Sequence, residues 1–158
     1  MPDAPPSRSA TPARTPRTGP TPGRELARIA VDAALGKKAV DVVAMDLRGL
    51  SGEVDYFVVC SGESDIQMRA IVDGIAQAIK EQTGERPSHR EGRPGQNRWI
   101  VLDYFDLAVH VFDAEARAHY DLERLWGDAP SATATDADPE VAFLQPGADA
   151  GAPGRAEA

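Results

Sequence analysis

The stretch Arg98–Pro130, RWIVLDYFDLAVHVFDAEARAHYDLERLWGDAP, constrains this chain most, because its apolar residues first alternate with a period of two and then switch to helical spacing. Trp99 to Leu102 and Leu107 to Phe112 read as short strands, and Asp103-Tyr104-Phe105-Asp106 reads as the bend of a hairpin. With Leu102 opposite Leu107, Ile100 faces Val109 and Trp99 faces His110. Successive strand side chains point to opposite sides. Ile100, Leu102, Leu107, Val109 and Val111 therefore share one face, and Trp99, Val101, Ala108, His110 and Phe112 share the other. The first face reads as core; the second mixes aromatic and polar groups. Asp113-Ala114-Glu115 then opens a helical stretch with acids where the macrodipole favours them. Leu122 and Leu125 follow at helical spacing with Trp126 beside them, and Gly127 and Pro130 end the element. A Trp so close to the last regular residue either staples the domain or meets a partner.

Upstream, Thr21-Pro22-Gly23 reads as a helix start with Thr21 as cap and Pro22 at the first helical position. Leu26, Ile29, Ala30 and Ala33 form its apolar stripe, and Gly36 suits a left-handed terminating position before Lys37 and Lys38. Val40 to Leu47 is a β-branched strand. Asp55 to Cys60 is a second, apolar on consecutive positions and so expected to be covered on both faces; the two are expected as neighbours at the sheet centre. Ser61-Gly62-Glu63-Ser64 leads into the longest helix, Asp65 to about Thr83, with Ser64 and Gln67 as a capping box, a stripe of Met68, Ile71, Val72, Ile75 and Ile79, and Gly84 as the stop. A Gly and Ser loop before a helix can cradle phosphate, but Glu63 and Asp65 would repel an anion, which favours a plain turn and cap. Arg86, His89, Arg90 and Arg93, among Pro and Gly, are the one basic cluster inside the domain, with a short edge strand around Pro87 to Arg90. A solvated loop is the default reading there. If RNA is touched, this cluster and the N-terminal segment are the candidates.

The expected organisation is a Pro- and Arg-rich disordered segment over residues 1–23, one domain over 24–130, and a disordered acidic Ala-, Gly- and Pro-rich tail over 131–158, in which Val141, Phe143 and Leu144 form a short apolar run. Charge divides unevenly: net +3 over residues 1–24, −6 over 25–126 and −5 over 127–158, within a total of −8. An acidic core argues against groove or backbone binding of nucleic acid, which rests on Lys and Arg. A basic protein is the expected contact. No run approaches the roughly 20 apolar residues of a membrane span. The lone Cys60 can form no internal disulfide and reads as a small buried hydrophobe, which fits a reducing cytoplasm.

The 98–130 stretch resembles the Iojap or ribosomal silencing factor (RsfS) family, whose members show W-x-x-L-D-Y-x-D, then V-H-V/I-F, then Y-x-L-E-x-L-W-x-D-A-P. The resemblance continues upstream through Lys37-Lys38-Ala39, Asp46-Leu47, Asp55-Tyr56-Phe57-Val58-Val59 and Ser61-Gly62, and so spans about residues 25 to 130. It implies a fold related to nucleotidyltransferases. It also implies binding to the large ribosomal subunit through ribosomal protein uL14, cover of an intersubunit bridge site, and a steric block on subunit joining that represses translation when nutrients are short. No cofactor is implied, and a homodimer is the habit of the family. Phe105 departs from the pattern, since many relatives of the resembled family carry a small residue, often Gly, there. A Phe resists the positive φ of a tight primed turn, so a wider loop is expected.

Nucleotidyl transfer needs clustered carboxylates holding metals about 3.5–4 Å apart. The one Asp-x-Asp, Asp136-Ala137-Asp138, falls in the expected tail; Asp103 and Asp106 flank a turn; Asp41 and Asp46 differ by an odd number and face opposite ways on an ideal strand. No G-x-S-x-G elbow exists, and His89, His110 and His119 lack zinc spacing. His110 is open between a buried ring bonded to an acid and a partner contact. The expected architecture is therefore α/β or α+β, a mixed sheet of about five strands flanked by helices, nucleotidyltransferase-like but without a visible catalytic or metal site. The expected function is a non-enzymatic, cytoplasmic silencing factor. The rivals are a nucleotidyltransferase-like enzyme and a large-subunit biogenesis adaptor. Aromatic anchors with an acidic rim mark the expected docking face: Trp99, His110 and Phe112, bordered by Asp103, Tyr104 and Asp106, and extended by Tyr120, Glu123, Arg124 and Trp126. The competing reading has Trp99, Phe112 and Trp126 simply closing the core.

Overall fold

A computed structural model describes residues 21–146, in which α1 (Gly23–Gly36), β1 (Val40–Asp46), β2 (Tyr56–Gly62), α2 (Asp65–Thr83), β3 (His89–Glu91), β4 (Trp99–Asp103), β5 (Leu107–Asp113), α3 (Ala114–Tyr120), α4 (Leu122–Leu125) and β6 (Ser131–Ala134) follow in order, with a 3₁₀ turn at Ala142–Leu144. The strands form one mixed sheet in the order β3-β4-β5-β2-β1-β6, with β2 and β5 parallel and the other pairs antiparallel. All seven residues of β2 are buried, as its consecutive apolar residues predict for a strand covered on both faces.

The period-two pattern sorts the core into two layers. Val58, Cys60, Ile100, Leu102, Leu107, Val109 and Val111 point toward α1 and α2, where Leu26, Ile29, Ile71, Val72, Ile75 and Ile79 meet them. Phe57, Val59, Trp99, Val101, Ala108 and Phe112 point the other way, under Ala116 of α3 and Leu122 of α4. Two long helices cover the first face; two short ones cover the second. Truncating Ile75 or Leu102, both fully buried, to Ala would cost about 2–5 kcal/mol by cavity formation.

Helix α2 begins and ends where its caps predict. The Ser64 Oγ accepts from the Gln67 backbone N–H at 3.0 Å, the Gln67 Oε1 accepts from the Glu63 N–H at 2.6 Å, and Gly84 takes φ 80°. Two of the amides that could have cradled a phosphate, those of Glu63 and Gln67, are thus used within the cap. A Cβ on Gly62 would lie 2.7 Å from the Met68 Cγ, so this glycine serves close packing of loop on helix.

Several expectations are corrected. Pro22, not Thr21, is the N-cap of α1, and no side chain caps it. The left-handed residue after α1 is Lys38, with φ 62°, while Gly36 stays helical. The hairpin register is shifted by two: Trp99 pairs with Phe112, Val101 with His110, Leu102 with Val109 and Asp103 with Ala108. Face membership survives because a shift of two preserves parity. The sheet has six strands rather than about five, since β6 pairs antiparallel with β1. β6 and the following turn, with Val141 and Leu144 buried in the first core, lie in the stretch read as tail, so the fold continues through residue 146. Residues 1–20 and 147–158 of the expected tails lie outside the described residues.

Candidate protein-docking face

The hairpin tip is tighter than Phe105 led one to expect. Tyr104 N–H donates to the Leu107 carbonyl at 2.7 Å and Asp106 N–H donates to the Tyr104 carbonyl at 2.9 Å. Phe105, at the centre of that three-residue turn, takes φ 70°. The Asp103 Oδ1 accepts from the Phe105 N–H at 2.9 Å and holds the turn from inside. The wider loop expected from Phe105 is therefore corrected: Asp103 extends the ladder and only Phe105 and Asp106 make the bend. The tip is clamped against the body. The Asp106 carbonyl accepts from the Asp55 and Tyr56 N–H groups at 2.9 and 3.0 Å, and a Cβ on Gly23 would fall 2.7 Å from the Asp106 Cβ. Tyr104 is buried, and that burial pushes its hydroxyl up to about 12. Phe105 projects outward, 55% exposed.

Behind the tip lies a continuous aromatic layer. The Trp99 ring stacks on Phe112 with centroids 4.8 Å apart and meets Tyr120 at 4.6 Å; Phe57 meets His110 at 4.4 Å and Trp126 edge-on at 6.0 Å. His110 Nδ1 accepts the Trp99 Nε1–H at 3.0 Å, a diagonal contact across the shifted register. Acceptance at Nδ1 places the proton of a neutral ring on Nε2. The expected acid partner at this ring atom is replaced by an indole.

Of the ten residues expected to form the face, Trp99, Asp103, Tyr104, Asp106, His110 and Phe112 are buried, Tyr120, Glu123 and Trp126 are half-buried, and Arg124 is exposed. The first six form the floor. Tyr120 and Trp126 pack on it half-buried, and Arg124 and Leu125 of α4 are exposed, Leu125 by 71%. Leu122 and Leu125, at helical spacing in α4, part company: Leu122 is buried and Leu125 is exposed. Glu123 is engaged by Arg117, whose Nη2 lies 2.6 Å from its Oε2 and whose Nη1 donates to the Ser61 Oγ at 3.0 Å. Arg117 therefore ties α3, the segment after it and the end of β2 together. No sequence pattern flagged it, since Ser61, 56 residues away, meets it only in the fold.

This bond occupies the place where an open α/β sheet ordinarily takes a ligand. Helices α2 and α3 leave the parallel strands β2 and β5 toward opposite faces, and the crevice between them is the usual binding position. Here it holds Ser61 with Arg117, and Asp113 with Arg98 at 2.6 Å; Arg98 also reaches Glu115. Asp46 is paired with Arg48 in the interior at 2.7 Å, whereas Asp41 is exposed at a bulge in β1. Among the described residues, no group of three or more His, Cys, Asp or Glu stands close enough to hold a metal ion. Cys60 is fully buried and desolvation pushes its thiol up to about 12, which leaves no thiolate for chemistry. No helix among the described residues is long and apolar enough to cross a membrane.

The domain is thus a mixed sheet whose crevice between β2 and β5 is spanned by the Arg117–Ser61 bond, and whose face under α3 and α4 carries a packed aromatic layer. Residues 20–155 match the family model described as ribosomal silencing factor during starvation. The chain is 43% identical over 108 residues to the ribosomal silencing factor RsfS of Halalkalibacterium halodurans, a match covering 68% of this chain and 91% of that protein. It is 40% identical to RsfS of Bacillus subtilis, covering 69% and 91%. A crystal structure of a Chromobacterium violaceum protein superposes with a TM-score of 0.64 at 28% identity, over 68% of this chain and 88% of that one. The chain belongs to the ribosomal silencing factor family.

Proposed function

We propose that this protein silences translation by occlusion: it docks on the large ribosomal subunit through ribosomal protein uL14, covers a surface that the small subunit needs, and holds the two apart. Family membership supports a ribosome-associated silencing role. The observation that carries the docking site is Leu125, 71% exposed and next in sequence to Trp126, whose ring meets Phe57 of the Phe57–His110–Trp99–Phe112 layer edge-on. An exposed apolar side chain beside a half-buried Trp is the kind of anchor that a partner desolvates on binding. The net charge of −8 favours a basic partner. Asp103, Asp106 and Glu123, held by internal bonds, contribute field rather than direct contact. The action is steric and uses no cofactor or catalytic group.

The test is a sucrose-gradient assay with purified subunits, with and without the protein, followed by blotting of the fractions. Comigration with free large subunits and a smaller joined peak is the expected result. Protein left at the top of the gradient, with subunits joining normally, refutes the reading.

A further inference from the structure

One place runs against the charge of the chain. An open cavity of about 710 Å³ is lined by Arg69 of α2, Arg90 of β3, and Arg93, Gln96 and Asn97 of the loop that follows, with no carboxylate in its lining. Elsewhere Arg28, Arg48, Arg98 and Arg117 each hold a carboxylate. Arg69, Arg90 and Arg93 have no such partner among the described residues. Glu91, beside Arg90, is turned to His89 at 2.8 Å. A second cleft of about 580 Å³ shares Arg90 and adds Arg86 and Lys80, with Asp73 and Glu81 on its helix side. Five cations therefore run along one edge of the domain.

The loop is built to hold its arginine still. Arg93 N–H donates to the Asn97 Oδ1 at 3.0 Å, and the Arg93 carbonyl accepts from the Gln96 and Asn97 N–H groups at 3.0 and 2.8 Å. Gly92 takes φ 87°, and a Cβ there would lie 2.7 Å from the Trp99 carbonyl oxygen, so only glycine lets the loop fold back on β4. No aromatic ring lines either cleft, which removes base stacking and leaves recognition to the phosphates. Exposed guanidinium groups spread over two connected clefts fit an extended polyanion better than one enclosed small anion.

We infer that Arg69, Arg90 and Arg93 bind the phosphates of an RNA backbone, giving the protein a second hold on the large subunit. The inference rests on the large-subunit reading above. The arginines lie at the β3 edge on the α2 side of the sheet, whereas the aromatic layer lies under α3 and α4 on the other side. The two grips are therefore separate.

The test uses the full chain with purified large subunits. An Fe(II) chelate that generates hydroxyl radicals is tethered to Ile66→Cys, 82% exposed one turn before Arg69, or to Thr133→Cys on the opposite sheet edge; the native Cys60 is buried and stays unlabelled. In parallel, affinity for the subunit is measured across salt for the parent, the Arg69→Gln/Arg90→Gln/Arg93→Gln variant and a Lys38→Gln control. Each phosphate neutralised adds about 0.7–0.9 to the log–log salt slope, so the triple variant should lower it by about 2, a roughly 20-fold smaller affinity loss between 50 and 200 mM salt. RNA cleavage from the Ile66 tether, none from the Thr133 tether, and that shallower slope are the expected results. A subunit-bound protein whose Ile66 tether cuts no RNA, or whose triple variant keeps the parent slope, overturns the inference and leaves the docking reading standing. A parent chain that never sediments with large subunits sinks the docking reading, and the inference with it.

Discussion

Phe105 offers the most direct check of the hairpin geometry. Its φ of 70° is a conformation in which a side chain bearing a Cβ is strained, by about 1–2 kcal/mol relative to the right-handed region. Phe105→Ala removes the ring and keeps the strain, whereas Phe105→Gly removes both. At an ordinary position Gly would be the less stable of the two by about 0.5–1 kcal/mol, through the entropy of the unfolded chain. Here the order should invert: relief of about 1–2 kcal/mol outweighs that entropy, leaving Phe105→Gly more stable than Phe105→Ala by roughly 0.5–1 kcal/mol. The difference between the variants cancels the lost ring contacts, which are partial because the ring is 55% exposed. Urea melts of both variants, with equal slopes, give the difference directly. A Phe105→Ala protein as stable as Phe105→Gly, or more so, would refute the positive-φ turn and restore the wider loop. If the exposed ring is also a contact, both variants should bind large subunits more weakly than the parent by the same factor.

Leu125→Glu should leave folding stability within about 0.5 kcal/mol, because the residue is 71% exposed, yet abolish comigration with large subunits in the gradient. Arg48→Met strands Asp46 as a buried carboxylate without its 2.7 Å partner and should cost about 3–5 kcal/mol in urea melts, most of it recovered by adding Asp46→Leu. Cys60 should resist a thiol-specific disulfide reagent in the native protein and react once per chain after denaturation. Because burial raises its thiol from 9.0 to about 12, the native state keeps a proton that the unfolded chain loses, so Cys60 makes stability fall as pH rises from about 9 toward 12, a trend that Cys60→Ala should flatten.

Local signals carried much of this architecture. The α2 boundaries follow from Ser64, Gln67 and Gly84, since a cap bond and a left-handed glycine are decided within a few residues. The two faces of the β4–β5 hairpin follow from alternation alone, and the hydrophobic sequence of β2 announces its place between two cores. Register was not legible, because it depends on how many residues the turn consumes, and Phe105 adopts a conformation its type disfavours. β6 was not legible either: Ser-Ala-Thr-Ala has little apolar signal and becomes a strand only because β1 offers it an unpaired edge.

The candidate site divides along the same line. Composition and pattern marked Trp99, His110 and Phe112 as anchors, extended by Tyr120 and Trp126, and the arginines after α2 as the basic cluster of an acidic chain. Which of those anchors meets solvent was settled by the packing of α3 and α4. A strand's alternation says that Trp99 and Phe112 share a side, but the depth of that side depends on how α3 and α4 fold back over it. The clamping of Asp106 likewise depends on backbone amides at the start of β2 and a glycine of α1, and the meeting of Arg69 with Arg90 and Arg93 on a helix, a strand and a loop that touch only when folded. Periodicity and capping act over a few residues and can be read along the chain; burial and charge convergence are properties of three-dimensional neighbourhoods, and only the tertiary fold creates them.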